Sequence, residues 1–145
     1  MKKTLINANK LSNLLYPDLS YVIQGCVFEI RKQYGPGQKE VIYHRLLEEK
    51  LHLRGLEVTR EKKIKIFSED SGKAVGTYQP DIVVDDKIVV ELKSSSFTTK
   101  TDEKQLYFYL RNSEYELGYL INFSTPNLYM KRIVYSNTKK PYLKI

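Results

Sequence analysis

Residues 80–93 read PDIVVDDKIVVELK, with two short apolar runs on either side of a polar triplet. Runs of β-branched residues that flank a polar turn are typical of a β-hairpin. With residues 85–87 as the turn, counting outward along both strands places Asp81 opposite Glu91. Side chains alternate between the two faces of a strand, so Lys93 shares the face of Glu91. The sequence therefore predicts two carboxylates and one ammonium group together at the open end of a hairpin.

Two opposed carboxylates in a hairpin require a compensating interaction, because like charges directly across a strand pair are destabilising. A bound cation supplies one, and oxygen ligands favour a hard ion such as Mg²⁺ or Mn²⁺. We expect Asp81, Glu91 and the backbone carbonyl of Leu92 to bind the ion, and Lys93 to orient a water molecule or stabilise negative charge. Phosphodiester hydrolysis requires these parts. The alternative is an exposed hairpin with ordinary charges, since so short a pattern also occurs by chance.

The size and charge of the chain fit this chemistry. Its 145 residues are the usual length of one domain, and 41% hydrophobic content is enough for a packed core. We expect a single domain over residues 1–145, with a core at about 21–134, a short polar N-terminal lead and a basic C-terminal tail. The formal charge of +7 favours an anionic partner, and nucleic acid is the first candidate.

Cysteine usage and hydropathy indicate where the protein acts. Cys26 is the single cysteine, so neither an internal disulfide nor a four-cysteine metal site is available. A small buried role is expected for it. The sequence shows no signal-peptide pattern and no apolar run of membrane-spanning length. These features predict a cytoplasmic protein in a reducing compartment, with no membrane partner.

Apolar periodicity predicts two helices in the first third of the chain. The first begins near Pro17, with Asp18 or Ser20 as its cap, and ends at residues 35–37, which read Gly-Pro-Gly. The second runs from about residue 39 to residue 54, and the glycine that follows ends it.

The remaining elements are mostly strands. A third helix is expected from Thr101 or Asp102, as the cap, to about Asn112. The alternating or continuous apolar runs predict strands over about 59–67, 75–84, 88–93, 117–123 and 129–135. The resulting order, α-α-β-β-β-α-β-β, is an α+β pattern.

Three residues outside the hairpin are candidates for the same site. Glu40, at the start of the second helix, is predicted to hold metal-bound waters, although the helix dipole alone favours an acidic residue there. Gln105 and Tyr109 lie four residues apart and share a face of the third helix. A glutamine can bridge a water molecule and a phosphate, while Tyr109 either contacts nucleic acid or belongs to the core.

Several basic residues are candidates for contacts with phosphates. Lys100, Lys104 and Arg111 lie on or beside the third helix, and their alternative role is a solvated surface. His44 and His52 lie on the second helix. His44 is four residues past Glu40, but a structural role is favoured for both histidines because no second metal-ligand pattern surrounds them.

The sequence resembles the GxxExxY family, a branch of the PD-(D/E)XK nuclease superfamily. The naming pattern is matched by residues 37–43, which read GQKEVIY. The resemblance covers about residues 21–134 through Glu29, Gly35-Pro36-Gly37, Leu53-Arg54-Gly55-Leu56, Pro80-Asp81, Glu91-Leu92-Lys93, Gln105-Leu106, Asn122-Phe123 and Lys131-Arg132-Ile133-Val134. Gln105 and Tyr109 are similar to the Q-x-x-x-Y motif of RecB-like nucleases.

The resemblance implies a restriction-endonuclease-like α+β fold, with a mixed central β-sheet flanked by helices. It also implies a Mg²⁺-dependent nuclease site in which Glu40, Asp81, Glu91 and Lys93 occupy the core positions. Relatives that carry an iron–sulfur cluster need four cysteines, which this sequence does not have.

Three functional hypotheses follow from these observations. The first is a Mg²⁺- or Mn²⁺-dependent nuclease that hydrolyses DNA, with Gln105 orienting water or phosphate. The second is a non-catalytic nucleic-acid-binding module, or an accessory subunit of a DNA-processing complex with a helicase-type partner. The third is a homo-oligomeric structural protein.

Overall fold

The computed structural model describes residues 15–143, so the predicted polar lead lies mostly outside the described residues. The helices are α1 (Pro17–Tyr34), α2 (Glu40–Leu53) and α3 (Lys100–Arg111). The strands are β1 (Val58–Arg60), β2 (Ile64–Phe67), β3 (Ala74–Tyr78), β4 (Ile82–Val84), β5 (Ile88–Lys93), β6 (Leu117–Asn122) and β7 (Tyr129–Val134). Two 3₁₀ turns follow, at Asn137–Lys139 and Pro141–Leu143. No helix in this part of the chain is long and apolar enough to span a membrane.

The strands form two sheets. A five-stranded sheet has the order β1-β4-β5-β6-β7, and β2 and β3 form a separate two-stranded sheet. Only β5 and β6 pair in parallel within the larger sheet, and α3 makes the connection between them. The mixed central sheet flanked by helices confirms the predicted α+β, restriction-endonuclease-like fold class.

The hairpin of residues 80–93 has the predicted register. Val84 pairs with Ile88, and Asp85 and Asp86 in the turn have φ angles of 50° and 53°. Short polar residues tolerate this left-handed conformation better than β-branched ones do. The pairing continues away from the turn to Ile82, the first residue of β4, so Asp81 lies one residue before that strand.

Two of the predicted strands were wrong in extent, because each is divided into two strands of different sheets. The predicted strand at 59–67 is broken between β1 and β2, where Glu61 has a φ of 58°. The predicted strand at 75–84 is broken between β3 and β4, where Pro80 has no N–H to donate to a ladder. Five strands therefore precede α3, instead of the three predicted.

The predicted helix caps were also wrong. The α1 helix is preceded by Tyr16 in a left-handed conformation, and neither Asp18 nor Ser20 caps it. The α3 helix is capped by Thr99, whose hydroxyl accepts a hydrogen bond from the backbone N–H of Asp102. The Asp102 carboxylate in turn accepts one from the N–H of Thr99, which completes a capping box. This reciprocal pair fixes where α3 begins, and therefore where Gln105 lies.

Two apolar clusters cover the opposite faces of the five-stranded sheet. The first, here called the aliphatic cluster, packs α1 and α2 against the sheet. Its buried members are Ile23, Cys26, Val27, Ile30, Tyr43, Leu47, Leu51, Ile82, Val84, Ile88, Val90, Leu92, Leu117, Tyr119, Ile121 and Phe123. Burial of Cys26 confirms the role expected for it.

The second cluster, here called the tyrosine-rich cluster, packs α3 and the two-stranded sheet against the other face. Its buried members are Ile64, Ile66, Tyr78, Val83, Val89, Leu106, Leu110, Leu120 and Ile133, and four partly buried tyrosines border it: Tyr109, Tyr115, Tyr129 and Tyr135. Because successive side chains of β5 point to opposite faces of the sheet, its even-numbered residues belong to the aliphatic cluster. Glu91 and Lys93 therefore share the α3 face with Val89.

A close approach of α3 to the sheet occurs at Gly118 on β6. A Cβ atom at Gly118 would lie 3.2 Å from each δ-methyl of Leu106 and 3.3 Å from one of Leu110. The missing side chain lets the helix sit close to the strand, and this sets the distance between α3 and the charged end of β5.

The C-terminal segment packs on the tyrosine-rich side of the molecule. Tyr142 stacks on Phe67, with ring centroids 5.6 Å apart. Lys140 is 1% exposed and donates to the carbonyl oxygens of Ser113 and Tyr115 at 2.7 and 2.8 Å. Residues 137–143 of the predicted basic tail are thus attached to the fold.

Candidate active site

A pocket of about 300 Å³ lies between the end of β5 and the first half of α3. Strand β5 supplies charged side chains, α3 supplies amide and carboxylate groups, and β3 forms a third wall. The lining residues are Thr77, Tyr78, Gln79, Glu91, Lys93, Asp102, Gln105, Leu106, Tyr109 and Leu120. Four of the residues predicted from the sequence, Glu91, Lys93, Gln105 and Tyr109, are among them.

Asp81 lies beside this pocket and is held by the backbone of β5. The N–H of Leu92 donates to Oδ2 of Asp81 at 2.7 Å. This bond continues the hairpin one step beyond the strand ladder, with a side chain in place of a carbonyl. It places the carboxylate of Asp81 next to that of Glu91, as the register of the hairpin predicts.

The environment of Glu91 makes its negative charge unfavourable. Burial and the neighbouring charge of Asp81 raise the pKa of Glu91 to about 7, while a hydrogen bond donated by the Tyr78 hydroxyl acts in the opposite direction. Two carboxylates kept close together and partly out of water repel each other. A bound cation would remove that repulsion.

Lys93 faces the same pocket and lies near the start of α3. Its Nζ is 4.0 Å from Oδ1 of Asp102. Asp102 therefore interacts with Lys93 as well as capping α3. The sequence predicted Asp102 only as a helix cap, and its contact with Lys93 was missed. The spacing Thr99-x-x-Asp102, which is the signature of a capping box, could have placed Asp102 in the first turn of α3.

Gln105 and Tyr109 are linked to each other and to Tyr78. The Gln105 side-chain amide donates to the Tyr109 hydroxyl at 3.4 Å. The ring of Tyr109 stacks on that of Tyr78, with centroids 3.7 Å apart and planes 6° from parallel. Tyr109 thus packs at the border of the tyrosine-rich cluster, which accords with the core alternative considered for it.

Glu40 is exposed at the first position of α2, one helical turn before His44. Tyr43 on the same helix is buried and stacks on Phe123. Its hydroxyl donates to the carbonyl oxygen of Gly35 at 2.6 Å. Glu40 and Tyr43, the Glu and Tyr of the GxxExxY pattern, therefore have different surroundings: the tyrosine is buried against the core, and the glutamate faces solvent.

His44 comes close to Asp81, although the sequence favoured a structural role for it. Its Nε2 atom lies 3.6 Å from Oδ2 of Asp81. The same nitrogen is buried and has no hydrogen-bond partner among the described residues. The one signal in the sequence was its spacing of four residues from Glu40. His52 lies instead in a surface depression with Arg45, Glu48 and Arg60.

The donor set fits a hard divalent ion that retains much of its water. Within residues 15–143, no three His, Cys, Asp or Glu side chains converge closely enough to form a complete metal-binding group. Mg²⁺ is commonly bound by only one or two carboxylates, and water fills its other positions. Asp81 and Glu91 supply two such carboxylates, and the unpartnered Nε2 atom of His44 lies close to the first of them, Asp81.

The basic residues proposed for phosphate contacts have different surroundings. Lys100 and Lys104 are exposed at the beginning of α3, the end that borders the pocket. Arg111 is at the other end of the helix and forms a bidentate ion pair with Glu69, with Nε 2.6 Å from Oε1. The guanidinium of Arg111 is therefore engaged by a carboxylate.

Comparison with protein families accounts for this combination of fold and charged pocket. The family model described as PD-(D/E)XK nuclease superfamily matches residues 17–133. The chain belongs to the PD-(D/E)XK nuclease superfamily. The matched range begins with α1, ends one residue before the end of β7, and includes every residue of the candidate site. Neither a curated protein nor a solved structure gives a significant match.

Proposed function

We propose that this member of the superfamily is a Mg²⁺-dependent nuclease that hydrolyses phosphodiester bonds in DNA. The observation that carries the proposal is the proximity of Asp81 and Glu91. Burial and the charge of Asp81 raise the pKa of Glu91, and Glu91 lines a pocket together with Lys93. Such an arrangement of like charges is unfavourable without a cation, and perturbed carboxylates in a cleft are typical of functional sites.

Asp81 and Glu91 are the proposed ligands of the ion, with Mn²⁺ as a substitute for Mg²⁺. The backbone carbonyl of Leu92 would be a further ligand, and Glu40 would hold water molecules of the ion. A bound divalent ion polarises a phosphoryl oxygen and makes water a stronger nucleophile near neutral pH. His44 is a candidate for the same shell, because its buried nitrogen points to the Asp81 carboxylate.

Lys93 and Gln105 are the proposed groups that act on water and phosphate. The Lys93 ammonium stabilises the negative charge that develops on the phosphate, and Asp102 limits the positions it can take. Gln105 lines the pocket and presents an amide that can donate to a phosphate oxygen or a water molecule. Lys100 and Lys104 extend the positive surface along α3 for the backbone of the substrate.

A nucleic acid is the proposed substrate because the chain carries a formal charge of +7 and belongs to the PD-(D/E)XK nuclease superfamily, and DNA is the nucleic acid that we propose. Assignment to the GxxExxY branch rests on residues 37–43. Identification of Gln105 and Tyr109 as a Q-x-x-x-Y motif rests on their common helical face and on the contact between them.

A cleavage panel tests the proposal directly. Single-stranded, double-stranded and flapped DNA and RNA are incubated with Mg²⁺, with Mn²⁺ and with a chelator. We expect metal-dependent cleavage of DNA that the chelator abolishes. Asp81→Asn and Lys93→Met should each lower the rate by roughly 10²–10⁴-fold, the range for groups that act in the transition state.

Matched controls are available on the surface turn between β2 and β3. Asp70→Asn and Lys73→Met remove the same charges at exposed positions and should leave cleavage unchanged. Circular dichroism spectra establish that each variant is folded. Full cleavage by Asp81→Asn would exclude the proposed metal site.

A second function is favoured by the basic surface at the beginning of α3. Lys100 and Lys104 are exposed there, and the formal charge of the chain is +7, which also fits a nucleic-acid-binding module or accessory subunit that does not cut. Such a module would bind DNA with an affinity that falls as salt rises. It would show no cleavage with either ion, and the binding would be insensitive to the chelator.

A further inference from the structure

Tyr78 makes a contact with the candidate site that the proposed roles do not include. Its hydroxyl donates a hydrogen bond to Oε1 of Glu91. The residue is the last in β3 and is 9% exposed. Only Gln79 and Pro80 separate Tyr78 from Asp81 in the chain. One short segment therefore carries both the tyrosine that donates to Glu91 and the aspartate that lies next to it.

The ring of Tyr78 is fixed from two sides. On β2, Ile64 is its partner in the strand pair, and both residues enter the tyrosine-rich cluster. On α3, Tyr109 stacks against it in a nearly parallel arrangement. A tyrosine with only two side-chain torsions, held by a strand and by a stacked ring, places its hydroxyl with little freedom.

The hydrogen bond from Tyr78 engages one of the two carboxylate oxygens of Glu91. Glu91 has three rotatable side-chain bonds, and its second oxygen, Oε2, is not part of the bond with Tyr78. The contact thus fixes one oxygen and leaves the other available.

We propose that Tyr78 is a positioning residue for the metal site: its hydroxyl holds Oε1 of Glu91 so that Oε2 is presented to the cation shared with Asp81. This inference rests on the proposed function, since it requires that Asp81 and Glu91 bind an ion. It also gives Tyr109 a role, because the stacked ring supports Tyr78. Partners that orient a metal ligand typically contribute 10–100-fold to metal affinity or activity.

The test measures binding of Mn²⁺ alone by electron paramagnetic resonance, with no nucleic acid present. Tyr78→Phe keeps the ring and the stack on Tyr109 and removes only the hydroxyl. We expect this variant to bind Mn²⁺ at least 10-fold more weakly than the wild type.

Tyr129→Phe is the matched control. The Tyr129 hydroxyl also donates to a carboxylate, that of Glu103, but neither residue lines the pocket. The two variants therefore lose the same kind of hydrogen bond, and Tyr129→Phe should bind Mn²⁺ as the wild type does. Equal weakening in both variants would show a general loss of order and would overturn the inference.

A second measurement separates positioning from a merely structural role. In cleavage assays, Tyr78→Phe should need at least 10-fold more Mg²⁺ for half-maximal rate, and most of the wild-type rate should return at saturating Mg²⁺. A lower maximal rate with an unchanged Mg²⁺ requirement would contradict the assignment.

The two proposals fail in different ways. If the wild type binds no Mn²⁺, the proposed metal site is wrong, and the role of Tyr78 falls with it. If the wild type binds Mn²⁺ and Tyr78→Phe binds it equally well, only the role of Tyr78 is excluded, and the nuclease proposal stands.

Discussion

The two faces of the central sheet differ in what they bury. Among the buried members of the aliphatic cluster, the polar side-chain groups are the hydroxyls of Tyr43 and Tyr119 and the thiol of Cys26. On the opposite face, tyrosines in the cluster or at its border donate hydrogen bonds to carboxylates: Tyr78 to Glu91, Tyr115 to Asp86 and Tyr129 to Glu103. The first face therefore buries no carboxylate among these members, whereas the second holds several hydrogen-bonded carboxylates.

This difference follows from which elements cover each face. Helices α1 and α2 pack against the first face, whereas α3 with its 12 residues covers only part of the second. The uncovered end of that face is where Glu91 and Lys93 lie. A sheet whose faces are covered unequally can therefore keep a stable core on one side and leave charged residues in a pocket on the other.

The largest expected effect on stability comes from the aliphatic cluster. Leu47 on α2 is fully buried, and Leu47→Ala should lower the free energy of unfolding by about 2–5 kcal/mol because it leaves a cavity. Urea denaturation measures this change. Leu53→Ala on the same helix is the control, since Leu53 is 79% exposed and its loss should change stability by less than about 0.5 kcal/mol. Metal affinity of folded Leu47→Ala should equal that of the wild type, and a large change would show that the two faces are not independent.

A pH-dependent effect is expected on the tyrosine-rich side. Burial lowers the pKa of Lys140 from 10.5 to about 8. Between these values the unfolded chain binds more protons than the folded one, so the free energy of unfolding should rise with pH there, by up to roughly 3 kcal/mol. Below about pH 8 both states are protonated, and this contribution no longer changes.

The variant Lys140→Met isolates this contribution. Its free energy of unfolding should lack the rise between pH 8 and 10.5, and tyrosine ionisation cancels when the two proteins are compared. The neighbouring Lys139 is exposed, so Lys139→Met should keep the rise. Parallel pH profiles for wild type and Lys140→Met would rule out a titrating buried lysine.

The smallest expected effect on stability links the tyrosine-rich side to the candidate site. Gly118→Val adds a side chain where even a Cβ would meet Leu106 at 3.2 Å, and overpacking of this kind costs about 1–3 kcal/mol. Because Leu106 adjoins Gln105, displacement of α3 should also lower cleavage. Gly76→Ala is the control, since its Cβ would meet no atom within 4 Å. Destabilisation without any change in cleavage would mean that the position of α3 does not matter to the reaction.

Much of the fold could be predicted because apolar periodicity dominates it. The hairpin register, the three helices and the last two strands follow from local patterns in residues 84–88, 17–34, 40–53, 100–111 and 117–134. The divided strands could not be predicted from alternation alone. Glu61 has an unusual backbone conformation, and the side chain of Asp81 takes the place of a strand bond. Neither of these two local features changes the pattern of apolar and polar residues in the sequence.

The candidate site was less predictable, because distant residues meet there. Placing Glu91 and Lys93 on one face required only the period of a strand, and pairing Gln105 with Tyr109 required only that of a helix. The contacts of His44 with Asp81 and of Tyr78 with Glu91 depend on how α2 and β3 pack against the hairpin. No local spacing encodes those distances, so a histidine that looked structural lies beside a proposed ligand.

The single parallel strand pair has a consequence for the order in which the molecule folds. A hairpin can form early, because its partners are close in sequence, and the hairpin of β4 and β5 already carries both carboxylates. Pairing β5 with β6 requires closure of the long connection that contains α3, and such non-local closures are slow. The pocket gains its α3 wall only at that step, so the proposed catalytic competence arises late. A chain that stops folding before this crossover closes would hold the acidic pair without the groups that act on a substrate.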